Sequence, residues 1–493
     1  MNRIFISILV VFTVVGSVWS QQSNTMYFMR NIPQSKMQNP AFRGKYKSYL
    51  GLPFVSSLNM SIHSYDLKLS DIIYRGEGEY KDSVITPFHR SQKPEEFLGK
   101  ISGNKLSLQS DIYVSMLNYG FATHDFEISF DWSGRFEQRF DIPKNMLELI
   151  MVGNGSFEDK KTDFSGLNMA ITYWEEIGIG FNKSFNDGNL VIGVRPKMLF
   201  GHLDFRIKKA DISLQYVEGQ GYAVESDIHT QSNYPITLVL DEEKWFKQLK
   251  FNSGKIELGK LPGNFGIGID LGFTFRTGKM QLEGSFMDLG FISWKKEAKV
   301  FELKGDYMFK GANADGAFGN DSDKGKEENK YIKGVLEEIK NNSTYNIKEI
   351  EYTSELGPKI NFSANYEASR KLNLGLLSKT HIMHNNVAQS FTLAATFDLN
   401  KFTKTTISYS IMHKTYANIG LGLDINAGPV QLFLATDNLF GIFQYDSFGG
   451  VPYGAYTKNF NLWFGVNVVL SKKKFVRRIK HEYPDPFELS ANY

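Results

Sequence analysis

Eight ionisable residues alternate with large apolar ones and are the groups from which any chemistry would be built: Glu127, Asp131, Arg135, Arg195, Lys197, Asp270, Arg276 and Asp424. Carboxylates beside cations can move protons, hold a metal or bind a charged solute, and each use leaves a characteristic spacing. The H-E-x-x-H, G-x-S-x-G and G-x-x-x-x-G-K-[ST] patterns do not occur, so no zinc protease, α/β-hydrolase or P-loop site is indicated. There is no cysteine, which removes thiolate ligands, thiol nucleophiles and disulfides. His381 and His384 would point to opposite faces of a strand and share no metal. Asp321-Ser322-Asp323-Lys324-Gly325, with Glu327 and Glu328, has oxygen ligands but not the spacing of a calcium loop, and reads as a solvated loop. No catalytic residue, metal or cofactor is expected.

The elements that carry these charges alternate with a period of two. Phe126, Ile128, Phe130 and Trp132 interleave with Glu127, Ser129, Asp131 and Ser133; Phe265, Ile267, Ile269, Leu271 and Phe273 interleave with Gly266, Gly268, Asp270, Gly272 and Thr274. A soluble half-buried sheet shows the same alternation, so length decides: globular strands usually run ~5–6 residues, while a tilted membrane-spanning strand needs ~9–11. Several segments reach the longer figure. Candidate strands are 48–63, 105–121, 124–139, 165–185, 189–207, 211–231, 255–276, 279–300, 352–367, 370–384, 387–399, 403–414, 416–427 and 459–471, with Val430 to Ala435 left open as a further one. Asn186-Asp187-Gly188-Asn189, Arg276-Thr277-Gly278-Lys279 and Asn426-Ala427-Gly428-Pro429 punctuate them as hairpin turns. Lipid satisfies no open sheet edge. The expected fold is therefore all-β, an antiparallel transmembrane β-barrel of about 14 strands (12 to 16) with an N-terminal plug segment and short helices in loops.

In that barrel the eight charges face the lumen as a mixed-sign network, or several of them sit on solvated strand ends beyond the membrane band. Gly178/Gly180, Gly266/Gly268 and Gly420/Gly422 fall inside strands, where small lumen-side residues leave room for a plug or for curvature. Tyr173, Trp174, Trp294, Tyr409 and Tyr416 are candidates for interfacial girdles or for ordinary barrel packing.

Residues 1–20 read as a signal peptide, with Arg3, an apolar run from Ile4 to Val15 and a Val18-Trp19-Ser20 cleavage site before Gln21. Export to the bacterial outer membrane follows. Residues 21–47 form a plug or turn segment, 48–471 the barrel with loop insertions at 64–104, 143–164 and 309–350, and 472–493 a basic periplasmic tail. Leu67 to Tyr74, Pro143 to Val152, and Ile332, Val335, Leu336 and Ile339 within the insertion Lys310 to Asn346 are helical candidates. Lys plus Arg total 56 against 53 Asp plus Glu, a net charge of +3, so no field for nucleic acid exists. Outer-membrane lipid is the expected partner.

Asn39-Pro40-Ala41-Phe42 precedes the first strand; Gly51-Leu52-Pro53, Asp270-Leu271-Gly272, Asp288-Leu289-Gly290-Phe291-Ile292 with Trp294, and Asp437-Asn438-Leu439 follow in order. On these segments the chain resembles an uncharacterised Bacteroidota family of outer-membrane barrels, itself similar to fatty-acid-transporter-like and type IX secretion-associated barrels. The resemblance implies that the segment from Asn31 to Gly44, with Asn39, Pro40, Ala41 and Phe42 at its centre, enters the lumen of a fourteen-stranded barrel as a plug. Those relatives carry small apolar residues where Phe42-Arg43-Gly44 stands here. Read without the resemblance, Asn39-Pro40-Ala41 is a turn that aims the chain into strand one. The expected function is passive transport of small molecules, hydrophobic ones among the candidates, through a plugged lumen. The alternative is a non-conducting outer-membrane scaffold or secretion accessory that holds an envelope protein partner.

Overall fold

A computed structural model describes residues 24–472 apart from 65, 73, 76–83, 88, 90–91, 154–156, 158–160, 234–235, 241–245, 252–262, 310–341, 384–385, 413–414 and 441–457. The expected signal peptide, the helix through Ile332 to Ile339, His384, the acidic loop at Asp321 and the tail beyond 472 lie outside the described residues. Fourteen strands, numbered along the chain, close a barrel. They are β1 (Tyr46–Gly51, continued by Leu58–Ser64), β2 (Lys105–Ala122), β3 (Phe126–Pro143), β4 (Asn168–Phe185), β5 (Leu190–Val217), β6 (Asn264–Thr277) and β7 (Met280–Trp294). Then come β8 (Tyr352–Glu355, continued by Lys359–Ser369), β9 (Leu372–Met383), β10 (Asn386–Asp398), β11 (Thr403–Met412), β12 (Thr415–Ala427), β13 (Val430–Thr436) and β14 (Asn459–Lys472). Each pairs antiparallel with the next, and β14 returns to β1 through Ser48↔Leu470 and Met60↔Leu462, which leaves the barrel without an edge.

The expected number of strands is right, but the membership differs. Segment 211–231 does not cross the wall: β5 runs on to Val217, turns at Gly219 (φ +71°) and pairs its far half with Gly221–Ser232. That hairpin continues through Lys299–Phe309 and Ser343–Glu349 into an antiparallel sheet that extends one end of the barrel. Its cross-strand ion pairs are exposed: Lys209 with Asp227 (2.9 Å), Lys304 with Asp227 (3.2 Å) and Lys348 with Glu302 (3.1 Å). Alternation alone cannot separate a strand in lipid from one in water. The missing wall strand is Val430–Thr436, short because its neighbours are staggered around it.

Polarity across the wall is inverted relative to a soluble protein. Along β6, Phe265, Ile267, Ile269, Leu271, Phe273 and Phe275 are exposed on the outside, while Asn264, Gly266, Asp270, Gly272 and Thr274 are buried inside. Leu393 on β10 is 59 % exposed and its neighbour Thr392 1 %. A continuous greasy exterior of this kind is stable only against an apolar solvent. No helix among the described residues is long and apolar enough to cross a membrane.

Tight turns join strands at one end. Asn186, Asp187, Gly188, Gly278 and Gly428 take positive φ there, as the expected hairpins require. Longer connections gather at the other end. Lys144–Met151 forms the expected helix, but the expected helix from Leu67 is only a turn, Leu69–Asp71, because Asp71 Oδ2 accepts the Lys68 amide (2.7 Å) and closes it early. Instead a helix forms at Pro94–Lys100, with Pro at its start, Glu95 and Glu96 in the first turn and Lys100 in the last. Leu67, Phe97, Leu98, Ile101, Leu106 and Leu147 pack together over that end.

Candidate functional site

The N-terminal segment runs inside the lumen. A one-turn helix, Asn24–Tyr27, and a tighter turn, Pro33–Met37, are buried almost completely. The wall holds them by apolar packing, as of Met26, Met29 and Ile32 on Phe433, Ala435 and Trp463, and by polar contacts. The amides of Asn24 and Thr25 donate to the Asp437 carboxylate (2.8 and 2.7 Å), and Thr25 Oγ1 meets Ser408 Oγ (2.8 Å). Arg30 pairs with Glu283 (2.9 Å), Asn31 Nδ2 donates to Asp424 (2.8 Å), and Gln34 and Asn467 exchange amide hydrogen bonds (2.6 and 3.0 Å). Lys36 forms a buried ion pair with Glu127 and donates to Tyr46 Oη (2.7 Å).

Asn39, Pro40, Ala41 and Phe42 occupy one seat in this arrangement. Asn39 Oδ1 accepts the Ala41 amide (2.9 Å), a self-closed turn, while its Nδ2 donates to the Gly284 carbonyl of β7 (3.1 Å). The turn reading and the lumenal position thus coincide. Gly193 of β5 lies under the Pro40–Ala41 peptide, where any Cβ would overlap the backbone; Gly420 and Gly422 leave the same room for Thr25 and Met29. Phe42 packs edge-on against Tyr27 (5.1 Å between centroids) with Leu377 and Ala394, so its bulk fills the seat. Gly178 and Gly266 serve other neighbours, the Arg195 guanidinium and the Phe291–Ile292 backbone.

Beside the plug, six side chains from five strands form a closed ring of alternating charge. Arg195 bonds Glu176 (2.9 Å) and Asp270 (2.7 Å); Asp270 bonds Lys197 (2.8 Å); Lys197 bonds Asp288 (2.5 Å). Arg135 then joins Asp288 (2.8 Å) to Glu176 (3.2 Å) and closes the circuit. Asp131 adds to Arg195 and Lys359 to Asp288 (2.8 Å). Asp288 reaches the centre through a β-bulge at which it takes φ +58°, its amide bonded to Asp270 Oδ1 (2.7 Å). Four cations face four anions. Such a network repays its desolvation only when every member is partnered, so it specifies the wall's geometry more than it adds stability.

The structure therefore brings Asp131, Arg135, Arg195, Lys197 and Asp270 together, and sets Glu127 and Asp424 against the plug. Arg276 is corrected: it lies exposed at the tight-turn end, bonded to Gln281 (2.8 Å) and Glu367 (3.5 Å), because it is the penultimate residue of β6. Trp174 and Trp294 are not girdle residues either; they are buried with Leu199 and Ile292 inside the wall, whereas Tyr409 and Tyr416 are exposed outside. Sequence reasoning missed Glu176, Glu283, Asp288, Lys359 and Asp437. The consecutive acids Glu175-Glu176 break the alternation and were the available signal for the first.

A cavity of about 90 Å³ remains between ring and plug. Met37 and Gln38 of the plug line it, with Arg135, Asp288, Lys359 and Lys379 of the wall.

A family model described as a family of unknown function (DUF5723) matches residues 40–437. No curated protein matches. Among solved structures, the toluene transporter TbuX of Ralstonia pickettii is 8% identical, with 90% of this chain and 95% of that chain covered and a TM-score of 0.38. The toluene transporter TodX of Pseudomonas putida is also 8% identical, with 92% and 98% covered and a TM-score of 0.38. The monoaromatic hydrocarbon channel CymD is 7% identical, with 90% and 94% covered and a TM-score of 0.32. At such scores the likeness carries no argument about cargo.

Proposed function

The chain belongs to that family of unknown function, and we propose that it is an outer-membrane barrel through which small molecules pass passively when the N-terminal segment shifts in the lumen. The observation that carries this reading is how the segment is held. Beside its apolar contacts with Phe433, Trp463 and Leu377, it is held by hydrogen bonds and single ion pairs, among them those of Thr25, Asn31, Gln34 and Lys36. Water entering the lumen can replace such bonds one by one, at a net cost of about 0.5–1.5 kcal/mol each, more for those to charged groups. On this reading the tight-turn end faces the periplasm and the long connections face outside.

Cargo is the finer question. Hydrophobic solutes are the expectation that the names of the toluene and monoaromatic channels also suggest, yet the cavity beside this plug is lined by charge. Purified protein in liposomes tests the transport reading: solute flux should appear and should rise on deleting residues 31–44. Flux that the deletion leaves unchanged would remove the plug from the mechanism, and a barrel that carries no solute in either form would remove transport.

The scaffold reading keeps one supporting observation. The sheet that extends the barrel ends in Ser343–Glu349, which pairs along one side only among the described residues. An edge of that kind can add a partner's strand. Crosslinking from this strand in cells tests it, and silence there leaves the transport reading alone.

A further inference from the structure

The cavity beside the plug is lined by two incompletely partnered groups of opposite kind, on residues paired across two strands. Lys379 of β9 is 2 % exposed, and its ammonium donates to the Gln38 side-chain oxygen (2.8 Å) while forming no ion pair among the described residues. Asn361 of β8, directly across from it in the strand pairing, is fully buried; its Nδ2 donates to the Gln38 carbonyl (3.1 Å) and to Ser285 Oγ (2.8 Å), but its Oδ1 has no partner. A buried ammonium without a counter-charge and a buried acceptor without a donor are each expensive. The other four cations that face this region each reach a carboxylate: Arg135, Arg195, Lys197 and Lys359. Lys379 is the exception.

We propose that this cavity is a binding site for a small zwitterion of the α-amino-acid type, its carboxylate on Lys379 and its ammonium on Asn361 Oδ1. The two unmet groups sit on directly paired residues, whose Cα atoms in an antiparallel ladder lie about 4.5–5.5 Å apart. A molecule that satisfies both carries an anion and a hydrogen-bond donor a short distance apart, as an α-amino acid does, whereas a simple carboxylate or a simple amine meets only one of the two. The carboxylates of Asp111 and Glu137, cross-strand neighbours on β2 and β3, line the same cavity and favour the ammonium end. Met287 and Trp463 supply the apolar part of the lining.

Volume sets the size. About 90 Å³ is less than the roughly 150 Å³ of an apolar cavity that holds benzene. A small polar molecule on the scale of glycine or alanine suits that space, and the charge that lines it disfavours a monoaromatic ring. This assignment deepens the transport reading by naming a substrate class for the same lumen, and it can fail separately from that reading.

Isothermal titration of the full-length protein in detergent with alanine, propionate, ethylamine and toluene decides it. Alanine should bind saturably and about tenfold or more tightly than propionate or ethylamine, since each of those meets only one of the two groups. Lys379→Met should abolish the difference. So should Asn361→Asp, which gives Lys379 a carboxylate of its own and needs no other change in the wall. Equal affinities for the three polar probes, or alanine binding that survives Asn361→Asp, would mean that ordered water fills the cavity, and would overturn the site. Saturable alanine binding without alanine flux in liposomes sinks transport and leaves the site standing; flux without saturable binding does the reverse.

Discussion

The backbone amide of Thr25 donates to Asp437 Oδ1 at 2.7 Å, across 412 positions of sequence. Asn461 Nδ2 donates to the other oxygen of the same carboxylate (2.9 Å), so Asp437 joins residues 24–25 of the plug to β14. Replacing Asp437 by Ala strands three buried N–H donors, the amides of Asn24 and Thr25 and the Asn461 side chain, at about 1–3 kcal/mol for each group left unmet. Hydrogen exchange over residues 24–29 should speed up in Asp437→Ala while strands β2 to β5 exchange as before. Unchanged protection at the plug would show that this carboxylate does not hold it.

Gly193 gives a complementary test from below. Its missing side chain is the space in which the Pro40–Ala41 peptide lies. Gly193→Val should push the peptide off its seat, raise solute flux in liposomes and leave barrel assembly intact, since Val suits a strand. Flux equal to that of the parent protein counts against the seat.

The charge ring should behave as one unit. Lys197 is buried between Asp270 (2.8 Å) and Asp288 (2.5 Å). Lys197→Met leaves two carboxylates short of a partner and should cost about 3–5 kcal/mol, read from urea unfolding into micelles. Adding Asp270→Asn should recover part of that loss, because one stranded charge goes with it. A double variant weaker than the parent protein by the full sum of the two single changes would show that the ring is not coupled.

On the outer face, Ile267 of β6 is 52 % exposed. If lipid covers it, Ile267→Arg costs about 2–4 kcal/mol at mid-membrane, whereas a new arginine at the exposed Thr344 of the extending sheet costs little. Heat-modifiable mobility on gels reports assembly for both variants. Normal assembly of Ile267→Arg would place that face in water.

Outside the barrel, Asp227 titrates low, at about 2, because Lys209 donates to its carboxylate and Lys304 adds a second donor. A carboxylate whose folded pKa is depressed contributes stability above its unfolded pKa of ~3.9 and loses it as pH falls toward the folded value. Exchange of the Gly221–Ser232 amides should therefore be constant down to about pH 4 and quicken below it. The group is exposed, so the effect is small. Quickening between neutrality and pH 5 would contradict it.

Reading the chain forward, alternation over Phe126–Trp132 and Phe265–Phe273 announces strands with one greasy and one polar face, and the turns at Asp187, Gly278 and Gly428 announce which neighbours pair. Those are local properties, carried by side-chain period and backbone φ. Residues 211–231 alternate just as well and never enter the wall, because water and lipid sort the two faces of a strand in the same way.

Period and turn chemistry, written in the amino-acid order itself, thus settled that this is a closed barrel of long antiparallel strands with polar residues inward. Only the folded chain decided which of those inward residues meet. Glu176, Asp270 and Asp288 join Arg135, Arg195 and Lys197 because five strands have one particular register and β7 carries a bulge. Lys379 is left with Gln38 because the plug threads past β9 and not another strand. A shift of one residue in any pairing would send those charges to the opposite face, and register is a sum of contacts along the whole ladder that no single segment encodes.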